Sequence, residues 1–113
     1  MDELFRVSVE KHPGATVVTV VGEVDVSSAP ELRARLLELD ERQRIVVDLS
    51  EVTFLDSTGL GVLVGALKRT EATRGEGELR LVVNRPQLTK VLEVTGLAPL
   101  FAIYPVLSEA LAR

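Results

Sequence analysis

The chain has no cysteine and no tryptophan, one tyrosine, and a single histidine, His12. Without cysteine there is no disulfide, no thiolate metal site and no cysteine nucleophile, a composition that suits the cytoplasm. One histidine leaves neither a His-rich metal centre nor a Ser-His-Asp triad, so the site expectation is catalytic none, metal none. His12 opens the turn His12-Pro13-Gly14, where an exposed residue without chemistry is expected. Aromatic residues make up 4% of the chain, and 13 Lys and Arg face 17 Asp and Glu for a net charge of −4. There is thus no basic stripe or aromatic stacking platform, and no direct nucleic-acid partner is expected. The longest apolar runs, around residues 15–22 and 60–67, are too short and too interrupted by Thr and Gly to span a bilayer. The start, Met1-Asp2-Glu3-Leu4-Phe5-Arg6, is acidic and has no apolar core of a signal peptide. The expectation is a soluble, cytoplasmic protein with no membrane partner.

What is present describes one folded domain, residues 1–113, with 46% hydrophobic and 27% charged residues and a core built from Val and Leu. Residues 4–11 alternate, with Phe5, Val7 and Val9 on one side and Arg6, Ser8 and Glu10 on the other, as in a half-buried strand. Residues 15–21 are nearly continuous Val and Thr, a strand buried on both faces that forms a hairpin with the first. Ser27 or Ser28, with Pro30 in the first turn, starts a helix over 28–40 whose apolar face is Leu32, Leu36 and Leu39 and whose solvated side carries Arg33, Arg35 and Glu38. A strand at 44–49, a helix at 57–73 stopped by Gly75-Glu76-Gly77, and a strand at 78–83 follow. A helix at 86–95 with Gly96 at its end, a short strand at 100–104 and a closing helix after Pro105 complete the chain. The order β-β-α-β-α-β-α-β-α implies an α/β fold: a mixed, mostly parallel sheet of about five strands with about four helices.

The centre of the chain joins the strand Ile45, Val46, Val47, Leu49 to a helical apolar face of Leu60, Leu63, Val64 and Leu67. Between them stands Asp56-Ser57-Thr58, residue types favoured at helix N-caps. A serine at a helix mouth, near free amides and the positive dipole end, suits a phosphate; it also suits a plain cap. Gly59, Gly61 and Gly65 fall within seven residues although each interior glycine costs a helix about 1 kcal/mol relative to alanine. Close approach by the sheet or by a partner would account for them. Leu60 suits either core packing or a docking face beside Val62, and Asp25 reads as a turn former or cap.

Two catalytic likenesses fail on spacing. Gly59-x-Gly61 followed by Gly65 places its third glycine one residue late for dinucleotide binding, and the strand expected at 44–49 ends well before Gly59. Asp56-Ser57-Thr58-Gly59 places its glycine three residues after the acid, where an aspartic protease needs two, and an α/β pattern does not offer the paired carboxylates. No P-loop and no base for Ser57 are visible. The expectation is therefore not an enzyme, with cofactors none.

The segment Ile45-Val46-Val47-Asp48-Leu49-Ser50-Glu51-Val52-Thr53-Phe54-Leu55-Asp56-Ser57-Thr58-Gly59-Leu60-Gly61-Val62-Leu63 resembles the signature of STAS domains, specifically the bacterial anti-sigma-factor antagonists. Gly22-Glu23-Val24-Asp25 is similar to the Gly-Glu-Leu-Asp before that family's first helix, and Val94-Thr95-Gly96-Leu97 to its later Gly-Leu landmark. The resemblance implies a single STAS domain acting as a phosphoswitch. Unphosphorylated, such an antagonist binds a partner that is both anti-sigma factor and serine kinase and so frees a sigma factor; a metal-dependent serine phosphatase resets it. It implies Ser57 as phosphoacceptor, Thr58 as a lesser one, and Asp25 and Asp56 lining the pocket. It implies Gly22, Glu23, Asp25, Ser27, Ser57, Thr58, Gly59, Leu60 and Gly61 as partner-binding residues. Two other roles stay open at this point: a non-switching STAS scaffold or transporter partner, and an enzyme or nucleotide-binding protein with cryptic chemistry.

Overall fold

A computed structural model describes residues 5–112; Leu4, assigned above to the first strand, lies outside them. The elements are β1 (Phe5–His12), β2 (Ala15–Val24), α1 (Ala29–Leu37), β3 (Arg44–Leu55), α2 (Ser57–Glu71), β4 (Glu78–Val82), α3 (Pro86–Val94), a 3-10 turn (Ala98–Leu100), β5 (Ala102–Tyr104) and α4 (Leu107–Leu111). The sheet runs β1-β2-β3-β4-β5, antiparallel between β1 and β2 and parallel elsewhere. This is the mixed, mostly parallel sheet that an initial hairpin followed by strand–helix repeats requires.

Alternation along the strands makes two cores of unequal size. Val18, Val20, Ile45, Val47, Leu79 and Leu81 bury against Leu32 and Leu36 of α1, Leu60, Leu63 and Ala66 of α2, and Leu88 and Leu92 of α3. The opposite parity, Ala15, Val17, Val46 and Val82, packs with Ala110 of α4 and with Tyr104, Leu107 and Leu111. Arg80, 8% exposed, ties this second layer together. Its Nε donates to Glu78 at 2.9 Å, its Nη1 donates to the Ala110 and Ala112 carbonyls, and its guanidinium lies 5.2 Å from the Tyr104 ring centroid. Gly96, with φ +76°, closes α3 as its amide donates to Glu93 while the Leu97 amide donates to Leu92, the paired bonds of a Schellman turn.

Three expectations need correction. The third strand continues six residues past 49, because β2 itself runs on to Val24 and pairs with Glu51, Val52, Phe54 and Leu55 across a register shift that skips Thr53. The dinucleotide reading therefore fails on glycine spacing and on Gly59 lying inside a helix, not on the distance from the strand. Arg35 is half-buried, with its Nη1 donating to the Val7 carbonyl at 3.0 Å, where a solvated residue was expected. His12 ends β1 instead of lying in the turn, half-buried and 3.3 Å from Glu10.

Candidate functional site

The parallel strands β2 and β3 end side by side, pairing Glu23 with Phe54 and Val24 with Leu55. The Asp56 amide then donates to the Val24 carbonyl at 3.2 Å, so the segments bearing Asp25 and Asp56 leave the sheet from one place. Gly22 has φ +107° at the point where the β2–β3 register shifts, a conformation L side chains rarely adopt. That shift leaves Thr53 without a partner in β2 and lets Val52 and Leu55 both bury.

Asp56, not Ser57, is the cap of α2. Its backbone is extended and its Oδ1 accepts from the Thr58 and Gly59 amides at 3.0 and 3.1 Å, while its carbonyl accepts from Leu60. Ser57 is the first helical residue, exposed, with a hydroxyl that makes no hydrogen bond among the described residues. The plain-cap reading of Ser57 is thereby replaced. The anion-cradle reading changes too, because a carboxylate already occupies the amides of Thr58 and Gly59.

Asp25 organises the neighbouring turn. Its Oδ1 accepts from the Ser27 amide at 3.0 Å, the Ser27 hydroxyl at 2.8 Å and the Ser28 amide at 3.2 Å. The Ser27 hydroxyl, and after it the Ser27 amide, holds this carboxyl below its ordinary pKa. Ser28 is the residue before α1 but its side chain does not cap the helix; the hydroxyl accepts from the Asp25 amide and donates to the Glu23 carbonyl. Asp25 and Ser28 thus fix one another.

The three glycines of α2 have different reasons. A Cβ on Gly59 would lie 2.6 Å from Leu55 Cδ1 and 2.7 Å from Val24 Cγ1, so the helix start can sit on the two strand ends only with glycine there. A Cβ on Gly61 would meet nothing within 4 Å, and one on Gly65 only the flexible end of Arg69. Nothing among the described residues explains Gly61. Leu60 at 6% and Val62 at 9% exposure are core residues, which removes both from the docking face. Glu23, Ser27, Ser57, Thr58 and Gly61 remain exposed at this end of the sheet. Two exposed side chains there were not anticipated, Val26 and Phe54. Only the apolar character of Phe54 beside the polar Thr53 and Asp56 could have signalled them, and a buried strand end reads the same way.

The chain matches the STAS domain family model over residues 6–110. It is 36% identical over 100 residues to an anti-sigma-B factor antagonist of Bacillus subtilis, covering 88% of this chain and 90% of that one. A second anti-sigma-B factor antagonist, from Listeria monocytogenes, is 37% identical over 94 residues, 81% of each chain. The crystal structure of an anti-sigma factor antagonist from Mycobacterium paratuberculosis superposes with a TM-score of 0.87 at 32% identity, covering 98% of this chain and 94% of that one. With the family model matching nearly the whole chain and relatives above 30% identity covering most of both chains, the chain belongs to the STAS domain family.

Proposed function

We propose that this chain is a partner-switching anti-sigma-factor antagonist of the bacterial cytoplasm. Unphosphorylated, it binds an anti-sigma factor that is also a serine kinase and so frees a sigma factor; phosphorylation of Ser57 ends the binding, and a metal-dependent serine phosphatase restores it. Its relatives' names support antagonism of an anti-sigma factor. The observation that carries the switch is Ser57 itself, an exposed hydroxyl without a hydrogen-bond partner among the described residues, on the first turn of a helix whose cap is another residue. Binding, not catalysis, is the activity.

Phosphorylation adds about −1.5 to −2 charges and bulk at that position. The helix dipole tolerates the charge, so the domain stays folded. The phosphate, however, stands next to the Asp56 carboxylate, which already holds the Thr58 and Gly59 amides. A partner that covers this end must strip water from both anions together, and their repulsion strengthens as water leaves. About 1.4 kcal/mol of such cost already lowers affinity tenfold. Thr58 is exposed as well and is the lesser acceptor.

The test is capture from the source cell's lysate with wild-type, Ser57→Ala and Ser57→Asp chains, followed by mass spectrometry. An anti-sigma factor of the kinase type recovered on wild type and Ser57→Ala but not on Ser57→Asp supports the switch. Equal recovery on all three contradicts it.

A further inference from the structure

Val26 is 72% exposed and Phe54 48% exposed, both at the end of the sheet that carries Ser57. Val26 lies two residues beyond Val24 of β2, Phe54 is the penultimate residue of β3, and Val24 pairs with Leu55. Phe54 thus stands at the end of β3, and Val26 on the turn that leaves the neighbouring end of β2. Their backbones are held. Val26 rides on the turn that Asp25 and Ser28 lock with reciprocal hydrogen bonds, and Phe54 lies between the register shift and the buried Leu55. Apolar side chains on a fixed backbone lose little entropy when a partner covers them.

Their surroundings are acidic. Glu23, Asp25, Glu51 and Asp56 flank the two side chains in sequence, and Glu23 and Glu51 are exposed and in no ion pair among the described residues. The cations nearest in register are Arg6, opposite Val21, and Arg85, whose Nε donates to the Ser50 carbonyl.

We propose that Val26 and Phe54 are the anchor side chains of the surface that receives the anti-sigma factor, whose complementary face offers an apolar pocket bordered by Lys or Arg opposite Glu23 and Glu51. This rests on the partner-switching reading and goes past it by naming the anchors and the charge of the partner's face. A second copy of this chain is a poor occupant, since it would set the same carboxylates against each other. On the α2 side the contact is a close one at Ser57 and Gly61, where bulk and the Asp56 carboxylate exclude a phosphate.

The anti-sigma factor recovered on the wild-type chain is purified and titrated calorimetrically against Phe54→Ala, Val26→Ala and a Glu23→Gln, Glu51→Gln double variant, at low and at moderate salt. Phe54→Ala is expected to weaken binding by about tenfold or more and Val26→Ala by about fivefold or more, losses that only a minority of interface residues show on truncation. The double variant is expected to bind more weakly at low salt and to show a shallower salt dependence. Because all four positions are exposed, circular dichroism and melting temperature stay at wild-type values. Wild-type affinity for both alanine variants, or tighter binding by the double variant, overturns the proposal while leaving partner switching intact. Recovery of no anti-sigma factor overturns the partner-switching reading, and this inference with it.

Discussion

Replacing Gly61 by alanine separates folding from recognition at the start of α2. A Cβ at this position meets no atom within 4 Å, and the residue is exposed within a regular helix. The substitution therefore adds no clash and recovers the helix propensity that glycine forgoes, about 0.8–1 kcal/mol. For a domain of this size that raises the melting temperature by about 3–6 °C. Gly61 also stands one turn from Ser57, at the i+4 spacing that brings side chains together on one helix face. A methyl group there keeps a partner's backbone from approaching. The expected variant is a more stable protein that binds its anti-sigma factor more weakly, measured by thermal unfolding and by titration of the purified complex. A lower melting temperature would refute the packing argument, and unchanged affinity would refute the assignment of this helix face to the interface. Gly59→Ala is the contrast: its Cβ would sit 2.7 Å from the stiff Val24 side chain, so the overpacking outweighs the propensity gain and stability falls by about 1–2 kcal/mol.

Gly77→Ala is expected to be the more damaging glycine substitution, because its Cβ would overlap the Glu41 backbone carbonyl; a loss of about 3 kcal/mol or more in a urea titration checks this. Asp56→Ala removes the cap of α2 and costs about 0.5–2 kcal/mol, whereas Asp56→Asn keeps most of that stability, since the amide oxygen still accepts from the Thr58 and Gly59 amides. Arg80→Met leaves the Ala110 and Ala112 carbonyls without their donor and should cost about 2–3 kcal/mol by the same titration. Burial works to raise the Glu78 pKa, but hydrogen bonds and charge from Arg80 and Arg44 outweigh it and hold the group below its ordinary 4.5. A carboxyl depressed in the folded state contributes stability that is complete above that ordinary value and is lost as pH falls through the lower folded one. Unfolding curves from pH 6 downward should therefore show a loss of stability starting near the carboxylate range, and Glu78→Gln should flatten it.

The architecture was legible because β2 and β3 are written in Val and Ile with few alternatives, and because Pro30, Pro86 and Gly96 mark helix ends where the structure has them. The last six residues of β3 were not legible. Ser50, Glu51 and Thr53 look like a loop, and what holds the stretch as strand is the pairing of Glu51, Val52, Phe54 and Leu55 with β2 across the sheet, a tertiary cause with no local signature. At the site, Asp56-Ser57 predicted a helix start correctly, but the choice of cap depended on which side chain reaches the second and third amides. Asp56, one residue earlier than Ser57, has that reach. The distinction between Gly59, required by Val24 and Leu55, and Gly61, required by nothing among the described residues, depended on the three-dimensional packing. So did the exposure of Val26 and Phe54, since an apolar residue at a strand end gives no sign of which way it faces.

The most direct measurement of the central claim compares one preparation of the chain before and after stoichiometric phosphorylation by its purified anti-sigma factor and ATP. Intact mass and fragment spectra locate the phosphate, calorimetric titration reads affinity for the anti-sigma factor, and circular dichroism reads the fold. The expected result is a single phosphate on Ser57, affinity lower by about tenfold or more, and an unchanged spectrum and melting profile. A phosphate elsewhere, undiminished binding, or loss of binding through unfolding would each contradict it.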